Sequence, residues 1–393
     1  MENYKYLIIG SGMTAASAVQ GIREIDPTGS IGMVGSENDL PYDRPPLTKG
    51  LWKGKPFDSI WRKFEGLGVS INLGTTIVSF DPGLHLAESE RGETFAGDHV
   101  LIATGGKPRR LPIRSEALVY FRSLASYQKL RGMTETGTDF AVIGGGFIGS
   151  EIAAALSMNG KHVSMIYREN LIGERIFPAG LAQHVTDAYR QKGVEILPGE
   201  TVESIQPYHE RYILSTRGGH DLIVDGIVAG LGIQLNLDLA QQAGLKTNVG
   251  IIVDENLQTS TPNIYAAGDV AEFFNPALGR RIQVEHEDAA NSMGRQAGRN
   301  MAGAGEPYTH LPYFYSDLFE MGYEAVGILD PRLEVVEDWK EQYEKGVVYY
   351  LEGGRVRGML LWNVWGQVDA ARALLAEPGP FTPGDLVGRL GGK

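Results

Sequence analysis

Two short glycine-rich turns restrict what this chain can fold into more than any other feature of it. In DFAVIGGGFIGSEIAAAL (139–156), an apolar run of strand character, Phe140 to Ile143, leads into Gly144, Gly146 and Gly149 at GxGxxG spacing. Ser150 to Leu156 then reads as a helix. One glycine makes the tight turn, one lets a pyrophosphate approach the backbone, and one allows close helix–strand packing. The segment YKYLIIGSGMTAASA (4–18) repeats the pattern with Gly10, Gly12 and Ala15. In such turns the phosphates sit on the helix N-terminus, where unpaired N–H groups and the dipole favour negative charge. Thr14, Phe147 and Ile148 lie inside the two turns and join the candidate contacts. Packing alone does not explain two copies. The chain is expected to bind two dinucleotides and to pass electrons between them.

With 393 residues the chain is too long for one ordinary core, and two or three domains are expected. The formal net charge of −12 disfavours a general nucleic-acid-binding role, since no basic stripe of adequate size is present. Arg109–Arg110 and Arg280–Arg281 are only local pairs. Cysteine is absent, which removes structural disulfides, thiolate metal sites and any redox-active dithiol. The first strand is expected within a few residues of Met1, with no secretory signal ahead of it. The most apolar window, 140–158, is broken by glycines and Glu151 and belongs to the fingerprint, so no membrane span is expected. A cytoplasmic enzyme is the resulting expectation.

After the first strand and helix, the apolar run Ile31 to Val34 precedes Glu37, about 20 residues past the fingerprint, where an acid would hold a ribose hydroxyl. In LPYDRPPLTKGLW (40–52) the consecutive prolines exclude a helix beginning before Leu47 and imply an extended segment that brings Arg44 and Lys49 to one place. Val69 to Phe80, including Ile77, reads as strands around a Gly-Thr turn, and His85 to Phe95 as a hairpin. Asp98 to Ala103 reads as a buried strand whose end, Thr104 and Gly105, would set backbone amides beside a nucleotide. Lys107 to Ile113 looks like a crossover into a second domain.

There, Lys161 to Ile166 is the next strand and Glu169 follows it. An acid at that point favours NADH through the 2′-hydroxyl, whereas Arg168 with Arg175 would suit the 2′-phosphate of NADPH. The retained third glycine and the acid favour NADH. Ile223 to Leu231 reads as one buried strand with Gly232 just beyond it. The chain then returns to the first domain, where Gly268-Asp269 tips a short strand, a placement suited to the ribityl or pyrophosphate part of a flavin. Gln283 to Asn300 enters and forms a helix. A metal site from Glu285, His286 and Asp288 is conceivable, but no second histidine stands at ligand spacing, and acids at a helix start are favoured by the dipole. From Thr309 the chain turns aromatic-rich, with a hairpin around Gly353-Gly354 and a closing helix at 369–376. Tyr315, Trp362 and Trp365 are candidates to shield a flavin ring.

Taken together, these residues resemble the two-dinucleotide-fold flavoprotein reductases. LPYDRPPLTKGLW, the two fingerprints, LIATGGKPR and AAGDV follow the order of bacterial ferredoxin reductases of oxygenase systems. GGGFIGSE, YFRSL, GRRIQVEHEDA, FYSDLFEMGYEAVG and KGVVYYL…GMLLWN carry a closer resemblance to apoptosis-inducing factor and its prokaryotic relatives. The resemblance implies an α/β chain of two Rossmann-like dinucleotide-binding domains, glutathione reductase-like, plus a small α+β C-terminal domain. An FAD-binding domain would span 1–112 and 234–308, a NAD(P)-binding domain 113–233, and a C-terminal domain 309–393.

FAD contacts implied by the resemblance include Gly12, Glu37, Arg44, Lys49, Arg122 and Asp269, with His286 near the flavin. Nicotinamide-side contacts include Phe147, Glu151, Glu169, Arg175, Gly232, Glu285, Glu324 and Asn363. Lys49 paired with Glu151 would be the polar pair at the reactive edge and the catalytic pair of this chain. Tyr315 and Glu287 depart from the animal protein, which has tryptophan and a second histidine there. The long acidic insertion of the animal C-terminal domain is missing between Leu333 and Lys345, so its nucleotide-triggered release is not carried over.

Hydride would pass from NADH, or NADPH, to FAD, and single electrons would leave for an external acceptor such as a ferredoxin. Two functions stay open: a NAD(P)H-dependent reductase of a ferredoxin-type protein, or an apoptosis-inducing-factor-like protein in which a stable charge-transfer complex controls dimerisation or partner binding. A flavin oxidase is disfavoured, because the second fingerprint would have no use. The acceptor and the oligomeric state, a homodimer included, are left open by the sequence.

Overall fold

The structure, a computed structural model, describes residues 1–390. The chain divides into two compact units, each assembled from three stretches of sequence. Unit 1 takes Met1–Arg44, Phe57–Lys107 and Gln234–Tyr313; unit 2 takes Pro45–Pro56, Pro108–Ile233 and the chain from Phe314 onward.

In unit 1 the strands Val69–Asn72, Ile31–Val34, Glu2–Ile9 and Thr94–Ile102 lie side by side in parallel. Their apolar runs are nearly continuous because both faces of a parallel sheet are covered. Tyr6 to Ile9, Met33 and Val100 to Ile102 are all buried. Thr94–Ile102 is one long strand that forks. Its first half pairs antiparallel with Leu86–Ser89, while Val100, Leu101 and Ile102 pair in parallel with the returning strand Ile264–Ala266. The expected hairpin at 85–95 and the buried strand after it are therefore parts of one arrangement. Val69–Asn72 and Ile77–Asp81 do not pair with each other across the Gly-Thr turn. The first joins Ile31–Val34 and the second joins Leu86–Ser89.

The fingerprint helix Met13–Ile25 packs against Glu287–Met301 along faces of small residues. A Cβ on Gly298 would stand 2.0 Å from the Ala18 carbonyl oxygen, one on Gly294 2.3 Å from that of Thr14, and one on Gly21 2.0 Å from that of Arg295. The two backbones meet at these points, with no room for a methyl group.

Unit 2 is built on a second parallel sheet, ordered Glu195–Pro198, His162–Tyr167, Asp139–Ile143, Gly226–Ala229, Leu118–Tyr120. A three-stranded antiparallel sheet, 202–224, follows within the sequence. The stretch read as one strand, Ile223 to Leu231, is two strands in the structure. Asp225 divides it, because its carboxylate accepts from the backbone N–H groups of Thr138 (2.7 Å) and Asp139 (2.9 Å) and pairs with Arg211 at 3.0 Å. Asp221–Val224 belongs to the antiparallel sheet, and Gly226–Ala229 to the parallel one. The C-terminal part is a five-stranded sheet, Tyr313–Leu318, Met321–Gly327, Arg355–Trp362, Lys345–Glu352, Glu334–Glu341, with Val368–Ala376 as its closing helix. The hairpin around Gly353-Gly354 is present, with Glu352 opposite Arg355.

The proline-rich stretch departs from the expected extended form. Pro45–Leu47 and Gly50–Lys53 are tight helical turns, with the Thr48 and Lys49 N–H groups donating to the carbonyls of Pro45 (3.3 Å) and Pro46 (3.2 Å). Prolines are tolerated at the opening of such a turn because their missing N–H would have no partner there. Arg44 ends a stretch of unit 1 and Lys49 belongs to unit 2. Among the described residues, no helix is long and apolar enough to cross a membrane.

Exchanging Gly for Ala in a helix interior ordinarily favours the helix by roughly 1 kcal/mol. Gly298→Ala should instead destabilise the protein by about 2 kcal/mol, because helices Met13–Ile25 and Glu287–Met301 must separate. Urea unfolding decides the sign, and unchanged or raised stability would contradict this packing.

Candidate functional site

Each unit presents a cradle built the same way. In unit 1 the strand Glu2–Ile9 ends at Gly10, whose φ of +130° and whose Cβ position, 2.2 Å from the Ala103 carbonyl oxygen, admit only glycine. In unit 2 the strand Asp139–Ile143 ends at Gly144, with φ +114° and a Cβ position 2.4 Å from the Gly230 carbonyl oxygen. Gly12 and Gly146 then cap the helices Met13–Ile25 and Phe147–Met158. The second helix begins at Phe147, a turn earlier than expected. Neither helix has a side-chain cap or an acid in its first turn, so their leading N–H groups are available to an anion. A Cβ on Gly146 would meet nothing within 4 Å, and one on Gly12 only the Arg44 guanidinium, at 4.0 Å. Both helix ends are thus open to a pyrophosphate, and the residues present fit one. At the third position Ala15 is buried, while Gly149 lies so close to Gly144 that a Cβ would stand 1.9 Å from its carbonyl oxygen.

An acid follows the next strand in both units. Glu37, beyond Ile31–Val34, accepts from the Tyr42 hydroxyl at 2.6 Å and pairs with the Arg44 guanidinium. Glu169, beyond His162–Tyr167, pairs with Arg175, while Arg168 is exposed.

The rest of the unit 1 cradle comes from the returning chain. Gly268 lies against the start of Met13–Ile25, where a Cβ would stand 2.3 Å from the Thr14 hydroxyl oxygen, and so sets Asp269 beside that helix end. Asp269 interacts electrostatically with Arg44 and with His286, the residue that precedes Glu287–Met301. Burial lowers the His286 pKa to about 4, against the pull of Asp269 and Asp288, so its imidazole is neutral at pH 7. Past Ala103, Thr104 and Asn236 interlock: the Thr104 hydroxyl donates to the Asn236 carbonyl (3.0 Å), and the Asn236 amide to the Thr104 carbonyl (2.8 Å). Gly105 follows with φ +60°. Ile77 packs on the core of unit 1. Glu285 is exposed in unit 1.

In unit 2 the Lys49 ammonium lies 2.7 Å from the Glu151 carboxylate and 5.1 Å from the centre of the Tyr315 ring. Glu151 is only 4 % exposed and also accepts from the hydroxyls of Thr48 and Ser316. Phe147 is exposed at its helix end and meets the edge of Phe314, with ring centres 5.2 Å apart. Gly232, at φ +77°, follows Gly226–Ala229. Arg122 precedes helix Leu124–Thr136 in this unit. Glu324 accepts from the Gly366 N–H at 3.3 Å, and burial raises its pKa.

Two of the candidate side chains are engaged within the protein. Trp362 has no exposed surface: it stacks on Tyr323 at 5.8 Å, meets the edge of Phe177, and donates to the Tyr343 carbonyl at 2.7 Å. It is core and cannot shield a bound ring. Asn363 accepts from the Gly322 N–H and donates to the Glu344 carbonyl, both at 2.8 Å, tying strand ends together. Trp365 is exposed. Sequence reasoning missed Tyr42, Thr48 and Ser316. The hydroxyl beside Lys49 and the one beside Tyr315 were the available signals.

The sequence profile of the pyridine nucleotide-disulphide oxidoreductases matches residues 4–294, and that of the apoptosis-inducing factor C-terminal domain matches 297–341 and 336–377. Apoptosis-inducing factor 1, mitochondrial, of Dictyostelium discoideum is 32 % identical over 96 % of this chain and 79 % of its own length. The ferredoxin–NAD(+) reductase component of the anthranilate 1,2-dioxygenase system of Burkholderia cepacia is 29 % identical over 94 % of both chains. The crystal structure of the covalent putidaredoxin reductase–putidaredoxin complex superposes with a TM-score of 0.90 at 26 % identity, covering 100 % of this chain and 96 % of the other.

The depressed pKa of His286 gives its stability contribution a sign. An unfolded histidine takes up its proton near pH 6.5 and the folded one near 4, so the unfolded state binds more protons between these values. The contribution is complete above about pH 6.5 and is lost as pH falls towards 4. Between pH 7 and 5 the wild type should lose about 2 kcal/mol more than His286→Asn in urea unfolding. Parallel curves would contradict the assignment.

Proposed function

Since the chain belongs to the pyridine nucleotide-disulphide oxidoreductase family, we propose that it is an FAD-dependent NADH oxidoreductase of the cytoplasm that delivers electrons singly to a ferredoxin-type protein. With no cysteine in the chain, the disulphide chemistry in the family's name has no residue to use. The reading rests above all on the pair of glycine-capped, uncapped-by-side-chain helix starts, one in each unit.

In unit 1, Gly12 and the helix behind it would hold the FAD pyrophosphate, Arg44 would supply counter-charge, Glu37 would accept from the ribose, and Asp269 would hold the ribityl side. In unit 2, Gly146 and its helix would hold the nicotinamide dinucleotide. Glu169 supports NADH over NADPH, because its carboxylate repels a 2′-phosphate and engages Arg175, one of the two candidate cations for one. Bound flavin supplies the conversion of a hydride donor into a source of single electrons. Lys49, steadied by Glu151, would hold a fixed positive charge for a flavin ring that gains electrons, an effect worth about 3–4 kcal/mol for a preorganised donor. The neutral imidazole of His286 adds no competing positive charge at pH 7. The ferredoxin-type acceptor is supported by relatives named as ferredoxin reductases and by the fold shared with a reductase crystallised with its putidaredoxin.

A second reading draws on the C-terminal match to apoptosis-inducing factor: a nucleotide-responsive protein whose NADH-reduced form persists and changes its association. Anaerobic titration with NADH and NADPH, followed by absorbance and size-exclusion chromatography and then by turnover with a ferredoxin, separates the two. The reductase reading predicts bleaching at lower NADH than NADPH concentration and rapid turnover. A bleached form that survives air and runs as a dimer supports the second reading. A flavin that neither nucleotide bleaches overturns both.

A further inference from the structure

We propose that Thr48 and Ser316 are positioning residues for Lys49, acting by fixing Glu151 with two buried hydroxyl donors. The proposal rests on the reductase reading, in which Lys49 serves the reacting ring.

Glu151 receives far more than one salt bridge. Its Oε1 accepts from Lys49 Nζ at 2.7 Å and from Ser316 Oγ at 2.6 Å, and its Oε2 accepts from Thr48 Oγ1 at 2.5 Å. Thr48 is 5 % and Ser316 1 % exposed. The Thr48 hydroxyl also stands 3.3 Å from the Pro45 carbonyl, but its single proton goes to the nearer, charged acceptor. Thr48 and Lys49 are adjacent in sequence, so one short turn grips both oxygens of the carboxylate. Ser316 closes the arrangement from the strand Tyr313–Leu318, whose Tyr315 lies against the same ammonium.

The physical need is clear. A buried carboxylate facing a single ammonium recovers its lost hydration poorly, and two charge-assisted hydroxyl bonds offset the deficit. Lysine has a flexible four-carbon stem and sets no direction of its own. Its ammonium is held in place only if the acceptor is. Remove one hydroxyl, and the carboxylate is free to rotate about its side-chain bonds towards Lys49, which displaces the ammonium. The neighbouring Tyr189 and Tyr323 do not compete as anions, because burial keeps both hydroxyls protonated, and Tyr189 donates to the Ser150 carbonyl at 2.9 Å.

The test compares Thr48→Val, Ser316→Ala, the double variant and Lys49→Met, with Thr48→Ser and Ser316→Thr as the conservative replacements. Three quantities are measured on flavin-loaded protein: the NAD⁺ dissociation constant of the oxidised form, the limiting rate of flavin reduction by NADH in stopped flow, and the thermal midpoint. Loss of either hydroxyl should slow reduction about tenfold. The double variant should be no slower than Lys49→Met, because the three side chains act as a unit. NAD⁺ binding should stay within about twofold of wild type, and Thr48→Ser should restore the rate. Wild-type rates in the Val and Ala variants would overturn the proposal. So would a slowing that Thr48→Ser does not restore, or one matched by an equal loss of NAD⁺ affinity. A wild-type flavin that NADH cannot reduce would end the parent reading and this one with it, before any variant is compared.

Discussion

The close approach of a strand's last residue to a neighbouring strand's carbonyl is the constraint on which both units depend. At Gly10 and at Gly144 the chain turns with positive φ while pressed onto the carbonyl oxygens of Ala103 and Gly230. Any side chain there would lift the turn away and withdraw the helix that follows. Because the turn is tight, the glycine two residues on, Gly12 or Gly146, becomes the helix cap and leaves the first-turn N–H groups with no side chain over them. A steric demand at one residue thus becomes an electrostatic opening two residues later. Its repetition in the two units links this fold to binding two dinucleotides.

Charge is distributed around these openings in complementary ways. In unit 1 the acids Glu37 and Asp269 are balanced by Arg44, and His286 is kept neutral by burial. In unit 2 the one deeply buried acid, Glu151, is met by an ammonium and two hydroxyls. A buried ion pair of this kind is a poor source of stability, since desolvation cancels much of the attraction. Keeping it makes sense where a fixed positive charge is needed, which is how the oxidoreductase reading uses Lys49.

What the sequence revealed follows how local each signal is. The fingerprints, the acids after their strands, the Gly353-Gly354 hairpin and the closing helix are set by residues within a few positions of one another, and they were legible. The fork in Thr94–Ile102 was not, because its second partner arrives from Ile264–Ala266, far along the chain. The split at Asp225 depends on the N–H groups of Thr138 and Asp139. Trp362 looked available to a ring until Tyr323 and Phe177 were seen to enclose it. The pairing of Lys49 with Glu151 came from family resemblance, whereas Thr48 and Ser316 needed coordinates: their neighbours Lys49 and Tyr315 were a hint, but only the fold shows both hydroxyls meeting Glu151.

The central claim is that each unit offers its own helix start to one pyrophosphate. Aspartate at position 12 or 146 tests it most directly, because both Cβ positions have room and aspartate is a favoured helix cap that should leave the fold intact. Its carboxylate would occupy the anion's place. The account predicts that Gly12→Asp yields a folded, colourless protein that still binds NADH, and that Gly146→Asp stays yellow but no longer binds it. Full flavin content in Gly12→Asp, or unchanged NADH binding in Gly146→Asp, would contradict the account.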